Sequence, residues 1–233
     1  MAERTALVVG ASRGLGLGLV RDLAGRGWSV IATLRSEGSG EALRALAGGS
    51  GGKVRIEMCD VEDGASIDAL AGRLKDVTLD LLFVNAGITL RGLAKAGDAS
   101  RDDVARIFLT NTVGPIHVAE AFLDQMRDGP GVIAMMTSGL GSISRSFRGG
   151  SADLYSASKA ALNKLTRSFT LALGDRKLTV LSISPGWVRT DMGGPGAMLS
   201  VEDSVKGIVD VVEAKAGAGE HGFYGHDGAT VPW

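Results

Sequence analysis

The sequence predicts an α/β fold, a single doubly wound parallel sheet with helices on both faces, built from residues 1–233 as one domain. Three observations carry this. Strand-like and helix-like segments alternate along the whole chain. The strand-like segments are apolar almost without interruption, as strands are when helices cover both faces of a sheet. The first strand-like segment runs into a glycine-rich turn and then a helix, and no change of composition marks a boundary at which to divide the chain.

The elements follow in order. "TALVVG" (5–10) is the first strand and "LGLGLVRDLAGRG" (15–27) a helix stopped by glycine. "WSVIATL" (28–34) is the second strand. A short helix lies within the glycine-rich stretch 38–52, followed by a strand in "KVRIEMC" (53–59). "ASIDALAGRLKD" (65–76) is helical and "LDLLFVNAG" (79–87) is the fourth strand. One long helix is expected over 100–126, with a kink at Pro115, which has no N–H to give the preceding turn. "GVIAMMTS" (131–138) is a strand, residues 152–173 form a second long helix, "LTVLSISPG" (178–186) is a strand, 201–216 is a helix and "HGFYG" (221–225) a short last strand.

The bulk properties narrow the function. At 45% apolar residues the chain fills a core, and a net charge of -1 argues against nucleic acid or an anionic membrane as the main partner. Cys59 is the single cysteine, so no internal disulfide exists and a reducing compartment is the simplest setting. "MAERTALVVG" enters a strand directly, without the pattern of a signal peptide, and no apolar run approaches the roughly 20 residues of a spanning helix. A cytoplasmic protein is expected. His117, His221 and His226 are too dispersed to suggest a metal cage, with His117 expected to face a neighbouring helix, and Cys59 reads as a buried structural thiol.

"VVGASRGLGLGLV" (8–20) places Gly10, Gly14 and Gly16 where the first strand becomes the first helix. Glycine lets the backbone turn tightly against a pyrophosphate, and the helix start offers free N–H groups to an anion. The spacing differs from the usual G-x-G-x-x-G, so the location carries the reading. An NAD-binding chain is expected to carry an acid near the end of the second strand, on the ribose 2′-OH. Here "IATLRS" offers Thr33 and Arg35, and Arg13 lies inside the glycine loop. Two guanidiniums suit a 2′-phosphate, so NADP(H) is expected over NAD(H).

"YSASK" sets Tyr155 and Lys159 on one face of a helix. A free phenol titrates near pH 10, and a cation within about 4–6 Å favours its ionised form. Taken alone the pair is an ordinary exposed couple. Together, the glycine loop, "NAG" (85–87), Ser138, "YSASK" and "SPGWVRTDM" (184–192) resemble, in order and over nearly the whole chain, the short-chain dehydrogenase/reductase family. "GLGSIS" (139–144), the short segment after "PGWVRTDMGG" and the closing "DG..VPW" resemble its C-factor and Sniffer-like carbonyl reductases.

The resemblance implies a Rossmann-like fold and a site of four residues. Tyr155 transfers a proton to or from the substrate oxygen. Lys159 supports it and holds the nicotinamide ribose. Ser138 holds the carbonyl and is preferred to Ser142 and Ser144 because it ends a strand. Asn111 offers a backbone carbonyl, freed by Pro115, to a water relay; the alternative is a plain proline kink with Asn111 capping or solvated. Cofactor contacts are implied for Gly10, Ser12, Arg13, Gly14, Leu15, Gly16, Arg35, Asp60, Val61, Asn85, Ala86, Gly87, Tyr155, Lys159, Pro185, Gly186, Val188 and Thr190. Asp60 equally suits a helix cap, and Trp187 packing or a pocket wall.

These expectations converge on an NADPH-dependent, reversible reductase of a small ketone, aldehyde or quinone, with no metal. The alternatives are an NADP(H)-binding signalling or regulatory protein with little turnover, and an NAD-dependent alcohol dehydrogenase. Ser144–Gly150 reads as a flap over the substrate or a plain surface loop, the short segment after Asp191 as an open pocket, and the two long helices as a face for a homodimer or homotetramer, although some small carbonyl reductases are monomers.

Overall fold

The computed structural model describes residues 4–90, 95–145 and 152–233. Seven strands form one sheet: β1 (Thr5–Val9), β2 (Ser29–Leu34), β3 (Val54–Met58), β4 (Leu81–Val84), β5 (Val132–Met136), β6 (Thr179–Ser184) and β7 (His221–Gly225). Their order is β3-β2-β1-β4-β5-β6-β7 and every pairing is parallel. The chain builds outward from β1 to β3, then returns to lay β4 on the other side of β1. That reversal opens a crevice at the carboxyl ends of β1 and β4, where open α/β sheets bind ligands.

Alternation along each strand sorts side chains into two cores. Ala6 and Val8 face a layer formed by α1 (Gly14–Gly25), α2 (Glu41–Gly48) and α7 (Val201–Lys215), with Leu19, Leu23, Leu43, Val205 and Ile208 fully or almost fully buried. Leu7 and Val9 face the opposite layer of α3 (Gly64–Arg73), α5 (Gly114–Ala121) and α6 (Asp153–Ala172), through Ile67, Leu70, Val118, Leu162 and Phe169. Gly18 lets α1 meet α7 closely: a Cβ there would lie 2.7 Å from Val201 Cγ1.

The long helix expected over 100–126 is broken into pieces. α4 (Arg101–Phe108) starts at a capping box between Ser100 and Asp103. A π turn then covers Leu109–Val113, α5 follows, and a 3-10 turn spans Leu123–Gln125. Pro115 gives no N–H to the preceding turn, and the ladder widens so that the Gly114 N–H donates to Leu109 O. Gly114 itself is pressed against β3's exit: a Cβ would stand 3.0 Å from the Val61 carbonyl carbon. The kink is therefore a π turn fixed by a tertiary contact.

The helix after β3 is capped by Asp63, whose Oδ1 accepts from the Ala65 N–H at 3.0 Å. Asp60 is not that cap; its Oδ1 accepts from the Glu62 N–H at 3.0 Å and closes the turn before it. His117 does reach a neighbouring helix, with Nε2 3.1 Å from Asp68 Oδ1 on α3. Cys59 is buried, and burial raises its thiol to about 11. Among the described residues no helix is long and apolar enough to cross a membrane.

Candidate active site

At the end of β1 the backbone turns through Gly10 with φ 88°. A Cβ there would come within 2.8 Å of Ala86 N and Cα, so β1 and β4 approach as only glycine permits. A Cβ on Gly16 would stand 2.7 Å from Asn85 Nδ2, which instead donates to Gly10 O at 2.6 Å. Thr33 on β2 accepts from the Gly10 N–H at 3.0 Å and leaves only 1% of its surface exposed. The cradle is thus held from both sides, by Asn85 and by Thr33. α1 begins at Gly14 with Arg13 as its N-cap, and no side chain caps its first N–H groups. An uncapped helix start facing a glycine-lined hollow suits a pyrophosphate. Ser12 and Leu15 are half-buried beside it.

Arg13 and Arg35 sit at the exits of the adjacent strands β1 and β2, both largely exposed. The Arg13 guanidinium meets Asp191 Oδ2 at 2.6 Å, and Arg35 Nη1 lies 3.9 Å from Glu62 Oε1. The Arg13–Asp191 link across 178 residues had no sequence signal. On the other flank, Gly186 turns with φ 78°, Val188 is buried, and the Thr190 hydroxyl accepts from the Gly193 N–H at 3.1 Å. The Pro185 carbonyl accepts from Ser204 at 2.7 Å, tying this turn to α7. Trp187 packs over the 193–196 loop, and its Nε1 donates to Gly193 O at 2.9 Å. Val61 is buried and Asp60 half-buried at the exit of β3.

β5 delivers Ser138, which starts the 3-10 turn Gly139–Gly141 and accepts from the Leu140 N–H at 3.2 Å. α6 presents Tyr155 and Lys159 to it. Ser138 stands close enough to the Tyr155 phenol to favour its ionised form. Lys159 Nζ lies 5.9 Å from the Tyr155 ring centre. The lysine is 2% exposed, and one of its N–H groups donates to Met136 O at 2.8 Å. Gly87 keeps the space beside it open, since a Cβ there would approach Nζ to 3.3 Å.

The electrostatics differ from the expected lowering of the phenol by its cation. Burial raises Tyr155 above its ordinary value, and Ser138 opposes that rise. Burial also brings Lys159 from 10.5 down to about 8. The lysine is turned toward the Met136 carbonyl, and burial is the largest influence on the phenol.

Asn111 is fully buried in the π turn. Its Oδ1 accepts from the Ile88 N–H at 2.8 Å, and its Nδ2 donates to Ile88 O at 2.9 Å and Ser158 Oγ at 3.0 Å. It neither caps nor faces solvent; its side chain stitches the segment after β4 to α6. Two further residues hold the site and went unread in the sequence. The Ser184 hydroxyl accepts from Gly139 N–H at 2.9 Å, and Asn163 Nδ2 donates to Gly141 O at 3.3 Å. Asn163 sits one helical turn beyond Lys159, a spacing that marks it as facing the same way. Of the expected flap, Ser144 and Arg145 are described and residues 146–150 lie outside the described residues.

A hollow rimmed by glycine and an uncapped helix, with a serine, a tyrosine and a buried lysine at its far end, suits a dinucleotide and a proton-transfer step. Comparison with known proteins agrees. The family model for short chain dehydrogenases matches residues 4–196. The C-signal protein of Myxococcus xanthus is 40% identical over 157 residues, covering 66% of this chain and 93% of that protein. A Burkholderia multivorans structure described as a short-chain dehydrogenase/reductase with bound NADP superposes with a TM-score of 0.95 at 40% identity, covering all of both chains. The carbonyl reductase Sniffer of Drosophila melanogaster superposes at 0.88 with 32% identity, again over both whole chains. The chain belongs to the short-chain dehydrogenase/reductase family of oxidoreductases, close to the C-factor and Sniffer-like carbonyl reductases.

Proposed function

We propose that this protein is an NADPH-dependent reductase of ketones, aldehydes or quinones, acting reversibly on the matching alcohols. The observation that carries the reading is the buried Lys159, with its Nζ 5.9 Å from the Tyr155 ring, on the helix that faces the Ser138 turn. The glycine cradle and the α1 start would hold the pyrophosphate of NADP(H), and Arg13 and Arg35 its 2′-phosphate. When bound, the cofactor supplies the hydride. The NADP-bound Burkholderia relative supports the same choice.

Ser138 binds and polarises the substrate oxygen, and Tyr155 hands it a proton. The raised phenol suits this direction, because a neutral phenol is the form that donates. Lys159 holds the ribose and, near its midpoint at about 8, takes part in returning the proton. Asn111 offers its main-chain oxygen, left without a donor from Pro115, to the relay behind the lysine. The whole of 1–233 works as one dinucleotide-binding and catalytic domain, in the cytoplasm, as a homodimer or homotetramer.

NADPH consumption against a panel of ketones, aldehydes and quinones, with NADH alongside, tests the reading. Turnover is expected with NADPH and much less with NADH. Tyr155→Phe should bind NADPH as the parent does and lose about a hundredfold or more in kcat. A Tyr155→Phe protein that keeps most of its rate, or a preference for NADH, would refute the assignment.

A further inference from the structure

We propose that the 231–233 segment is a clasp that holds the Ser138 loop in its working position, which makes Trp233 a positioning residue. The inference rests on the reductase reading for its kinetic consequence, and on geometry for the clasp itself. Among the described residues, three sets of tertiary hydrogen bonds anchor the loop. Two are near Ser138: the Gly139 N–H on Ser184 Oγ and Asn163 on Gly141 O. Beyond Gly141 the loop leaves α6, and residues 142–145 belong to no helix or strand.

The 231–233 segment holds that stretch. Ser142 Oγ donates to Pro232 O at 2.6 Å, and the Ser144 hydroxyl and N–H both donate to Trp233 O, at 2.7 and 3.0 Å. The Ser142 hydroxyl also accepts from the Arg145 N–H at 3.2 Å, so one serine braces both sides of the loop. These two serines stand near Ser138 in sequence and serve the loop rather than the substrate.

The holding segment is fixed in turn. The Val231 N–H donates to Phe223 O at 2.8 Å, and Val231 is buried. The Trp233 ring lies against His221 and Phe223 on β7, with centres 4.9 and 5.3 Å apart. The indole therefore sets where the main-chain oxygen of residue 233 can stand. Removing the ring frees that oxygen, and with it the far anchor of the loop that aims Ser138. Misplacing a positioning group by about 1 Å costs on the order of a hundredfold in rate, so a partial loosening should cost less.

Amide hydrogen exchange over residues 139–145 and steady-state kinetics are read on Trp233→Ala, Trp233→Phe and Ser144→Ala. In Trp233→Ala, exchange at Ser144 and Arg145 should rise about tenfold or more. Its kcat should fall about tenfold, with NADPH affinity and exchange over β1 and α1 unchanged. Trp233→Phe, which keeps a ring against Phe223, should recover most of both. Ser144→Ala should loosen the loop partway and add little on top of Trp233→Ala; it also leaves the β7 packing intact should the tryptophan variant fail to fold. Unchanged exchange overturns the clasp, and so does faster exchange with unchanged kcat. Loss of NADPH affinity in step with kcat also overturns it, since a loosened fold and not a misplaced serine would then be the cause. If the parent reduces no carbonyl compound, the reductase reading fails, and the clasp stands or falls on the exchange alone.

Discussion

Lys159 is the residue at which stability and chemistry pull in opposite directions. A lysine 2% exposed pays desolvation for its charge, and one hydrogen bond to Met136 O compensates only in part. The folded-state value of about 8 lies below the ordinary 10.5, so between these pH values the unfolded chain binds more protons than the folded one. Stability must then rise with pH through that window and carry the full penalty, about 3 kcal/mol, below it. Lys159→Met removes the titration. The variant should melt at or above the parent's temperature at pH 7, and its relative advantage should shrink steadily from pH 8 to pH 10. Melting curves across that range decide the matter; a difference that does not change with pH would mean that Lys159 is not discharged by burial. The Tyr155–Lys159 spacing was legible because the helix period fixes which residues share a face. The direction in which burial moves the phenol was not legible, since it depends on what the rest of the fold lays over it.

At the scale of elements, the sheet was readable and the broken helix was not. The strands' positions followed from apolar runs, because a parallel strand buried on both faces writes its own pattern, whereas their order came from the structure. The break at Leu109–Val113 needed a tertiary fact, the seat of Gly114 against the Val61 carbonyl, which turns a proline kink into a π turn. The π turn carries Asn111 inward to satisfy Ile88 N–H, Ile88 O and Ser158 Oγ together. Asn111→Leu keeps the volume roughly constant and strands the half-buried Ile88 N–H and carbonyl, while Ser158 Oγ keeps its bond to Tyr155 O. At about 1–3 kcal/mol for each unpaired group, the variant should lose about 3 kcal/mol. Its urea midpoint should fall with little change of slope. An unchanged midpoint would show that the side chain does not hold β4's exit to α6. The same logic explains why Ser184 and Asn163 escaped the sequence reading. Their targets are backbone groups of a turn more than 20 residues away, and no local pattern records such a partner.

At the scale of the molecule, the two layers of the fold are unequal. The α4–π–α5 face and α6 leave an apolar stripe in water: Val104, Leu109, Val113 and Leu165 are 39%, 41%, 50% and 37% exposed. A groove between α5 and α6 continues it, lined by Ile116, Leu123, Leu165 and Phe169, with Glu120 at the edge. Single exposed apolar residues are ordinary on a protein surface, whereas several on neighbouring helices beside an apolar groove suit an interaction face. Self-association through this face suits the chain's small net charge of -1, which offers little repulsion between copies. A two-fold contact would bring each stripe against its own copy, so one substitution acts twice across the interface. Leu165→Glu, combined with Val113→Glu, should therefore shift the protein to the monomer mass in sedimentation at micromolar concentration, with its melting temperature lowered only through the lost association. Both residues lie away from the Ser138 hydroxyl and the glycine cradle in the sequence and on the outer surface of their helices, so NADPH binding by the monomer should persist. A parent that already sediments as a monomer, or a double variant that keeps the parent's mass, would mean that this face remains in water or that the copies meet elsewhere.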